Sequence, residues 1–246
     1  MNLQKLFLTE NACYKAGKKI AVKGIMVHST AANNPWLSRY VGPDDGKLGK
    51  NKYNNHWNTY HPGGREVCVH AFIGKLADGS IATYQTLPWD HRGWHAGGSA
   101  NNTHIGFEIC EDDTNNAEYF GKVYREAVEL CAYLCKLYCL SENDIVCHCE
   151  GYKRGIACNH SDVMHWFPKH GKSMDTFRAD VKAELQKQEQ PTKDNTPASW
   201  SKDAVNWAVE NKLIVGDEHG DLALRSEVTR EQMCVFLKRL HDLIKK

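Results

Sequence analysis

The stretch HCEGYKRGIACNHSDVMHW, His148 to Trp166, places His148, Cys149, Glu150, Cys158, His160, Asp162 and His165 within nineteen positions. Imidazole, thiolate and carboxylate are the side chains that hold transition metals and move protons near neutral pH. A catalytic zinc site takes three such ligands and keeps a fourth position open for water. Upstream, His28 follows the apolar run Ile25–Met26–Val27 in KGIMVHST, and DIVCH brings His148 to the end of another short apolar run. Two imidazoles at the ends of adjacent strands can converge on one ion. The third ligand then comes from the segment after His148, where Cys158, His160, Asp162 and His165 are the alternatives. Cys147 and Cys149 flank His148, and on a strand their side chains point away from it.

The elements that must position these groups are legible from periodicity. KGIMVHST reads as a buried central strand. REVCVHAFIGKLADGSIATYQTL reads as two strands joined by a hairpin at Ala77-Asp78-Gly79. HIGFEICED alternates Ile105, Phe107 and Ile109 on one face with Gly106, Glu108 and Cys110 on the other, which aims Glu108 away from the apolar side. AEYFGKVYREAVELCAYLCKLY is a long amphipathic helix whose Val123, Ala127, Leu130, Leu134 and Leu137 keep helical spacing. SMDTFRADVKAELQKQ is another, with Ser173 as N-cap and Phe177, Val181 and Leu185 as its buried stripe. The pattern predicts a mixed α/β fold, a central sheet covered by helices, with a small C-terminal helical module.

The polar stretch around Pro191 and Pro197 reads as a linker. The predicted domains are residues 1–187, a linker at 188–198, and a second unit at 199–246. In that unit Trp200, Ala204, Trp207 and Ala208 share a face. Thr229 and Gln232 form a capping box ahead of a helix expected to bury Met233, Phe236, Leu237 and Leu240. About fifty residues make a marginal core.

The chain has 246 residues, a net charge of +1 and ordinary hydrophobic content, so bulk charge points to neither a nucleic-acid nor a membrane partner. No apolar run reaches the roughly 18 residues of a membrane helix. MNLQKLFLTENACYK lacks the apolar core of a secretory signal, so the expectation is a protein made in the cytoplasm that acts elsewhere only after release. Without a signal, the ten cysteines read as reduced thiols. Cys131, Cys135 and Cys139 recur every four residues and read as one buried helix face.

VHST at His28, RGWHAG at Arg92–Gly97, IGFEIC at Ile105–Cys110 and the His148–Trp166 stretch occur in an order that resembles the type-2 N-acetylmuramoyl-L-alanine amidases. These share their fold with the animal peptidoglycan recognition proteins, and the subgroup resembled is that of endolysins and prophage lysins of Firmicutes. The resemblance spans about Lys23 to Arg178. It implies a zinc enzyme that cuts the amide between N-acetylmuramic acid and L-alanine in peptidoglycan. It implies zinc ligands His28, His148 and Asp162, with Cys158 the competing third ligand because the gap after His148 is longer than in many members. It implies Glu108 as general base. His160 stands where many members have a Lys or Thr that stabilises the oxyanion. His95, Trp94 and His70 are expected along the substrate groove, and Glu150 and His165 in structural roles. The WAVENKLIVGDEHG and VTREQMCVFLKRL pieces resemble a single S-layer homology module, which implies a secondary cell-wall polymer as a further partner, or dimerisation. A non-catalytic peptidoglycan-binding protein is the alternative reading.

Overall fold

The computed structural model describes residues 1–189 and 194–245. They divide into two compact units, Met1–Lys187 and Gln188–Lys246.

The first unit is built on a six-stranded sheet. Its strands are β1 (Leu3–Lys5), β2 (Gly24–Ser29), β3 (Ala71–Lys75), β4 (Ile81–Gln85), β5 (His104–Ile109) and β6 (Ile145–Cys147), in the spatial order β1-β4-β3-β5-β2-β6. All pairs are parallel except the β3–β4 hairpin. The hairpin turns at Asp78-Gly79, where Gly79 takes φ +84° and the Asp78 carboxylate accepts from Ser80 N–H. β2 is buried at every position, as a strand flanked on both sides by parallel neighbours must be. Its alternation sends Ile25 and Val27 into the larger core and Met26 to the other face. His28 follows Met26, and Glu108 follows Gly106 on β5.

The larger core is closed by two helices, α2 (Ala117–Tyr138) and α4 (Met174–Glu189). Asn116 starts α2 by accepting from Tyr119 N–H, and Cys139 ends it in the left-handed region at φ +53°. Cys131 and Cys135 are buried on that helix, but Cys139 is exposed, because it is the C-cap and no longer belongs to the helix face. Val123, Ala127, Leu130 and Leu134 are fully buried. Each such Val or Leu contributes about 1.5–3 kcal/mol. Leu137, expected on the same stripe, is exposed at the last turn. The Ser173 hydroxyl accepts from Thr176 N–H at the start of α4, whose Phe177 and Val181 are buried. Two shorter helices, α1 (Ala12–Ala16) and α3 (His148–Lys153), complete this unit. All ten cysteines are free thiols.

The second unit contains α5 (Lys202–Glu210) and α6 (Arg230–Ile244), the latter opened by the reciprocal Thr229–Gln232 capping box. The stripe expected to be buried on α6 is not. Met233, Leu237 and Leu240 are exposed and Phe236 is half-buried, and Trp200 and Trp207 are exposed too. Two short helices offer too little surface to cover each other's apolar faces. Part of the expected linker is also bound into this unit. Asp194 N–H donates to the Asp221 carboxylate, and the Asn195 side chain accepts from Leu222 N–H. Residues 190–193, Pro191 among them, lie outside the described residues.

Candidate metal centre

Three adjacent parallel strands, β5, β2 and β6, end on one side of the sheet, where open α/β sheets place their sites. His28 and Glu108 are direct partners in the β2–β5 register, so their side chains leave the same face side by side. His148 lies one residue beyond β6 and is the first residue of α3, not a strand residue as the sequence suggested. Cys147 and Cys149 therefore do not point away from it by strand alternation. Their sulfurs lie 3.3 Å from each other, and both pack with the larger core.

The third donor comes from the turn after α3. Asp162 opens a short 3-10 turn, Asp162–His165, at φ +42°. A non-glycine residue held there carries strain of about 1–3 kcal/mol, the kind found where a side chain must be aimed. Its Oδ2 lies 2.8 Å from His148 Nδ1 and 3.1 Å from His28 Nδ1, and the two Nδ1 atoms are 3.2 Å apart. All three side chains are nearly buried.

The protons on these rings are assigned by their outer partners. His95 Nε2–H donates to the His104 carbonyl at 3.2 Å, which leaves His95 Nδ1 to accept. His28 Nε2–H donates to that nitrogen at 2.9 Å, so His28 turns an unprotonated Nδ1 toward His148 and Asp162. Burial pushes the His28 imidazole below its usual range, against the pull of Asp162, and so favours the neutral form a metal requires. Burial also opposes ionisation of Asp162, but the two imidazoles beside it, His148 and His28, outweigh that and hold its carboxyl well below the usual range. Two imidazole Nδ1 atoms and a carboxylate oxygen thus converge on one point. Such an arrangement repels itself unless a proton or a cation lies among the three, and its donor set suits zinc.

Glu108 stands next to this cluster with its Oε2 buried and without a hydrogen-bond partner. Burial, then the carboxylates of Asp162 and Glu111, push its carboxyl well above the usual range. The orphaned oxygen marks a place for a water or a substrate proton. His160 is exposed. Its Nδ1 lies 3.2 Å from Cys158 Sγ, and its ring centre is 4.8 Å from that of His148. Cys158 Sγ lies 3.4 Å from His148 Nε2, the nitrogen facing away from Asp162.

Two of the residues expected along a substrate groove are placed otherwise. His70 is fully buried, with Nε2–H donating to the His91 carbonyl at 2.7 Å and Nδ1 accepting from Gly106 N–H at 3.1 Å. It braces β3 against β5 and has no nitrogen left for a ligand. His95 spends both nitrogens on His28 and His104, so it orients the His28 ring and has no nitrogen left for a substrate. Both changes have one cause: polar groups close to the sheet must find partners within it. Trp94 is partly exposed under the Arg92 guanidinium and remains free to meet a ligand. The Glu150 carboxylate receives both arms of Arg178, and His165 binds Glu111 at 2.9 Å.

Glu111 is the residue that sequence reasoning passed over. Buried to 2% exposure, it accepts from Ala31 N–H, just past β2, and from His165 in the turn that carries Asp162. It ties together the two segments that bring His28 and Asp162 into contact. The only signal in the sequence is a second acidic group three residues after Glu108, which periodicity cannot tell from a surface residue.

The family model described as N-acetylmuramoyl-L-alanine amidase matches residues 18–168. No match is found among the curated proteins. Among solved structures, a mutant endolysin from Bacillus subtilis is 26% identical, with a TM-score of 0.50, covering 74% of this chain and 99% of that one. The hydrolase AmiA of Staphylococcus aureus, solved in complex with its ligand, is 20% identical with a TM-score of 0.53, covering 76% of this chain and 85% of that one. PlyL is 17% identical with a TM-score of 0.51, covering 74% and 96%.

Proposed function

Because the chain belongs to the N-acetylmuramoyl-L-alanine amidase family, we propose that it is a zinc-dependent hydrolase of the amide between N-acetylmuramic acid and L-alanine in peptidoglycan. The observation that carries the zinc reading is the convergence of His28 Nδ1, His148 Nδ1 and Asp162 Oδ2, with the His28 tautomer fixed by His95. Zinc held by these three would polarise the scissile carbonyl and acidify water near neutral pH.

The remaining work falls to this chain's own residues. Glu108 accepts the proton of the attacking water on its unpartnered Oε2 and returns it to the departing amine of L-alanine. Its heightened affinity for a proton suits a group that must both take and give one. His160, exposed beside His148, offers an N–H to the tetrahedral oxyanion. His95 keeps His28 in its working tautomer. Trp94 lays an aromatic face against sugar or peptide. The first unit is then the catalytic domain, and the second, into which Asp194 and Asn195 are bound, a module that holds the enzyme near the wall, resembling an S-layer homology module with a secondary wall polymer as ligand. The enzyme would meet its substrate at the cell wall after release, as an endolysin does.

A purely wall-binding protein is the competing reading. The complete donor set and the poised Glu108 support catalysis over it. Digestion of purified wall followed by mass spectrometry of the fragments separates the two: new L-alanine amino termini are expected, and an unchanged wall would leave only the binding reading.

A further inference from the structure

The chelating groups around His148 form two sets. Its Nδ1 faces His28 and Asp162, while its Nε2 faces Cys158 and His160. In the second set, His148 Nε2, Cys158 Sγ and His160 Nδ1 lie within 4.8 Å of one another, with neighbouring contacts of 3.4 and 3.2 Å. A tetrahedral zinc ion, with bonds of about 2.0–2.3 Å, spaces adjacent nitrogen and sulfur donors by roughly 3.3–3.6 Å. We propose that Cys158, His160 and His148 Nε2 form a second, weaker site for zinc, sharing the His148 ring with the first. This rests on the reading of His28, His148 and Asp162 as the primary zinc ligands.

The second set is built into the backbone. Cys158 N–H donates to the Ala96 carbonyl at 2.8 Å, fixing the segment against the RGWHAG loop. Gly97, at φ +61°, faces the thiol directly, and a Cβ there would lie 2.5 Å from Cys158 Sγ. The absent side chain therefore makes the room the sulfur occupies. One thiolate and two imidazoles are a soft donor set that favours zinc over calcium or magnesium.

The chemistry explains why this ion binds more weakly. With the primary ion on Nδ1, His148 keeps a proton on Nε2 and points it at Cys158. The second ion replaces that proton, and the Cys158 thiol also gives up its own, so two protons pass to solvent for each ion bound. His160 is exposed, so the ion exchanges with solvent. Once bound, it takes His160 away from the oxyanion. The second site therefore acts as an inhibitory zinc site, filled only when zinc exceeds one equivalent.

The test is a titration of the metal-free full-length protein with cobalt(II), which reports thiolate ligation by a sulfur-to-metal charge-transfer band. The first equivalent is expected to bind without that band and the second to bring it in. In Cys158→Ser the second equivalent and its band are expected to vanish, and with them the loss of muropeptide hydrolysis at excess zinc. Saturation at one equivalent without the band would overturn the second site and leave the primary one standing. A band with the first equivalent would make Cys158 a primary ligand and overturn both assignments. A second-equivalent band that survives in Cys158→Ser would put the ion on another cysteine and overturn the proposal. No cobalt binding at all would remove the zinc reading itself.

Discussion

His95 Nδ1 lies 2.9 Å from His28 Nε2, and through this contact the His104 carbonyl sets which nitrogen of His28 is free to hold a metal. His95→Ala should leave the three donors in the chain but lose that orientation. Loss of such an outer partner typically weakens metal affinity by about 10–100-fold. Competition against a chelator measures it, and an unchanged zinc affinity would show that His28 needs no orienting partner. Gly106→Ala attacks the same contact from the sheet, since a Cβ there would lie 2.4 Å from His95 Nδ1. Overpacking of this kind costs about 1–3 kcal/mol. The variant should therefore melt earlier and bind zinc less tightly.

Removing a donor should be more severe. His28→Ala, His148→Ala and Asp162→Ala should each lose zinc and hydrolysis together, because two remaining ligands hold the ion poorly. Zinc content after gel filtration, taken beside turnover of a soluble muropeptide, checks all three. Zinc retained by Asp162→Ala but lost by Cys158→Ser would exchange the roles of these two residues.

Glu108→Gln keeps the shape of the side chain and removes the base. Proton transfer by a positioned side chain contributes about 10²–10⁴-fold, so kcat should fall by that order, with KM little changed. Zinc content should stay near one per chain. A fall smaller than about tenfold would remove Glu108 from the proton path.

The buried histidines make the fold sensitive to mild acid. Burial lowers His70 from 6.5 to about 4. A base with a depressed folded value takes up its proton more readily in the unfolded chain. Its stabilisation is therefore intact above the ordinary value and is lost as pH falls from 6.5 toward 4. The loss is of the order of 3 kcal/mol for this one residue. His70→Gln should be less stable than the parent at neutral pH, because its hydrogen bonds to His91 and Gly106 are disturbed. Melting curves taken between neutral pH and pH 5 should show that gap narrowing. A constant gap would mean that His70 does not titrate with unfolding.

A chain ending at Glu189 should hydrolyse soluble muropeptides like the parent, since every proposed site residue lies in the unit Met1–Lys187. Lysis of whole walls should fall, because a tethering module raises the local concentration of enzyme. A folded but inactive truncation would tie the second unit to catalysis.

The sequence by itself determined the main elements and brought the candidate donors into view. Strict alternation identified β5 and the face of Glu108, helical spacing traced α2 over its whole length, and a short apolar run before each histidine put His28 on a strand and His148 close behind one. These are local signals, carried by neighbours within a few residues. Only the tertiary structure decided the partners. Whether Asp162 or Cys158 faces His28 depends on a left-handed backbone angle at Asp162 and on how the turn after α3 folds back, which no periodicity encodes. His70 and His95 read as groove residues in one dimension, yet packing beside Gly106 brings both onto β5, where their nitrogens must be satisfied inside the protein. The apolar faces of α5 and α6 were legible as stripes, but whether a stripe is covered depends on what surface the rest of the unit can supply, and two short helices supply too little.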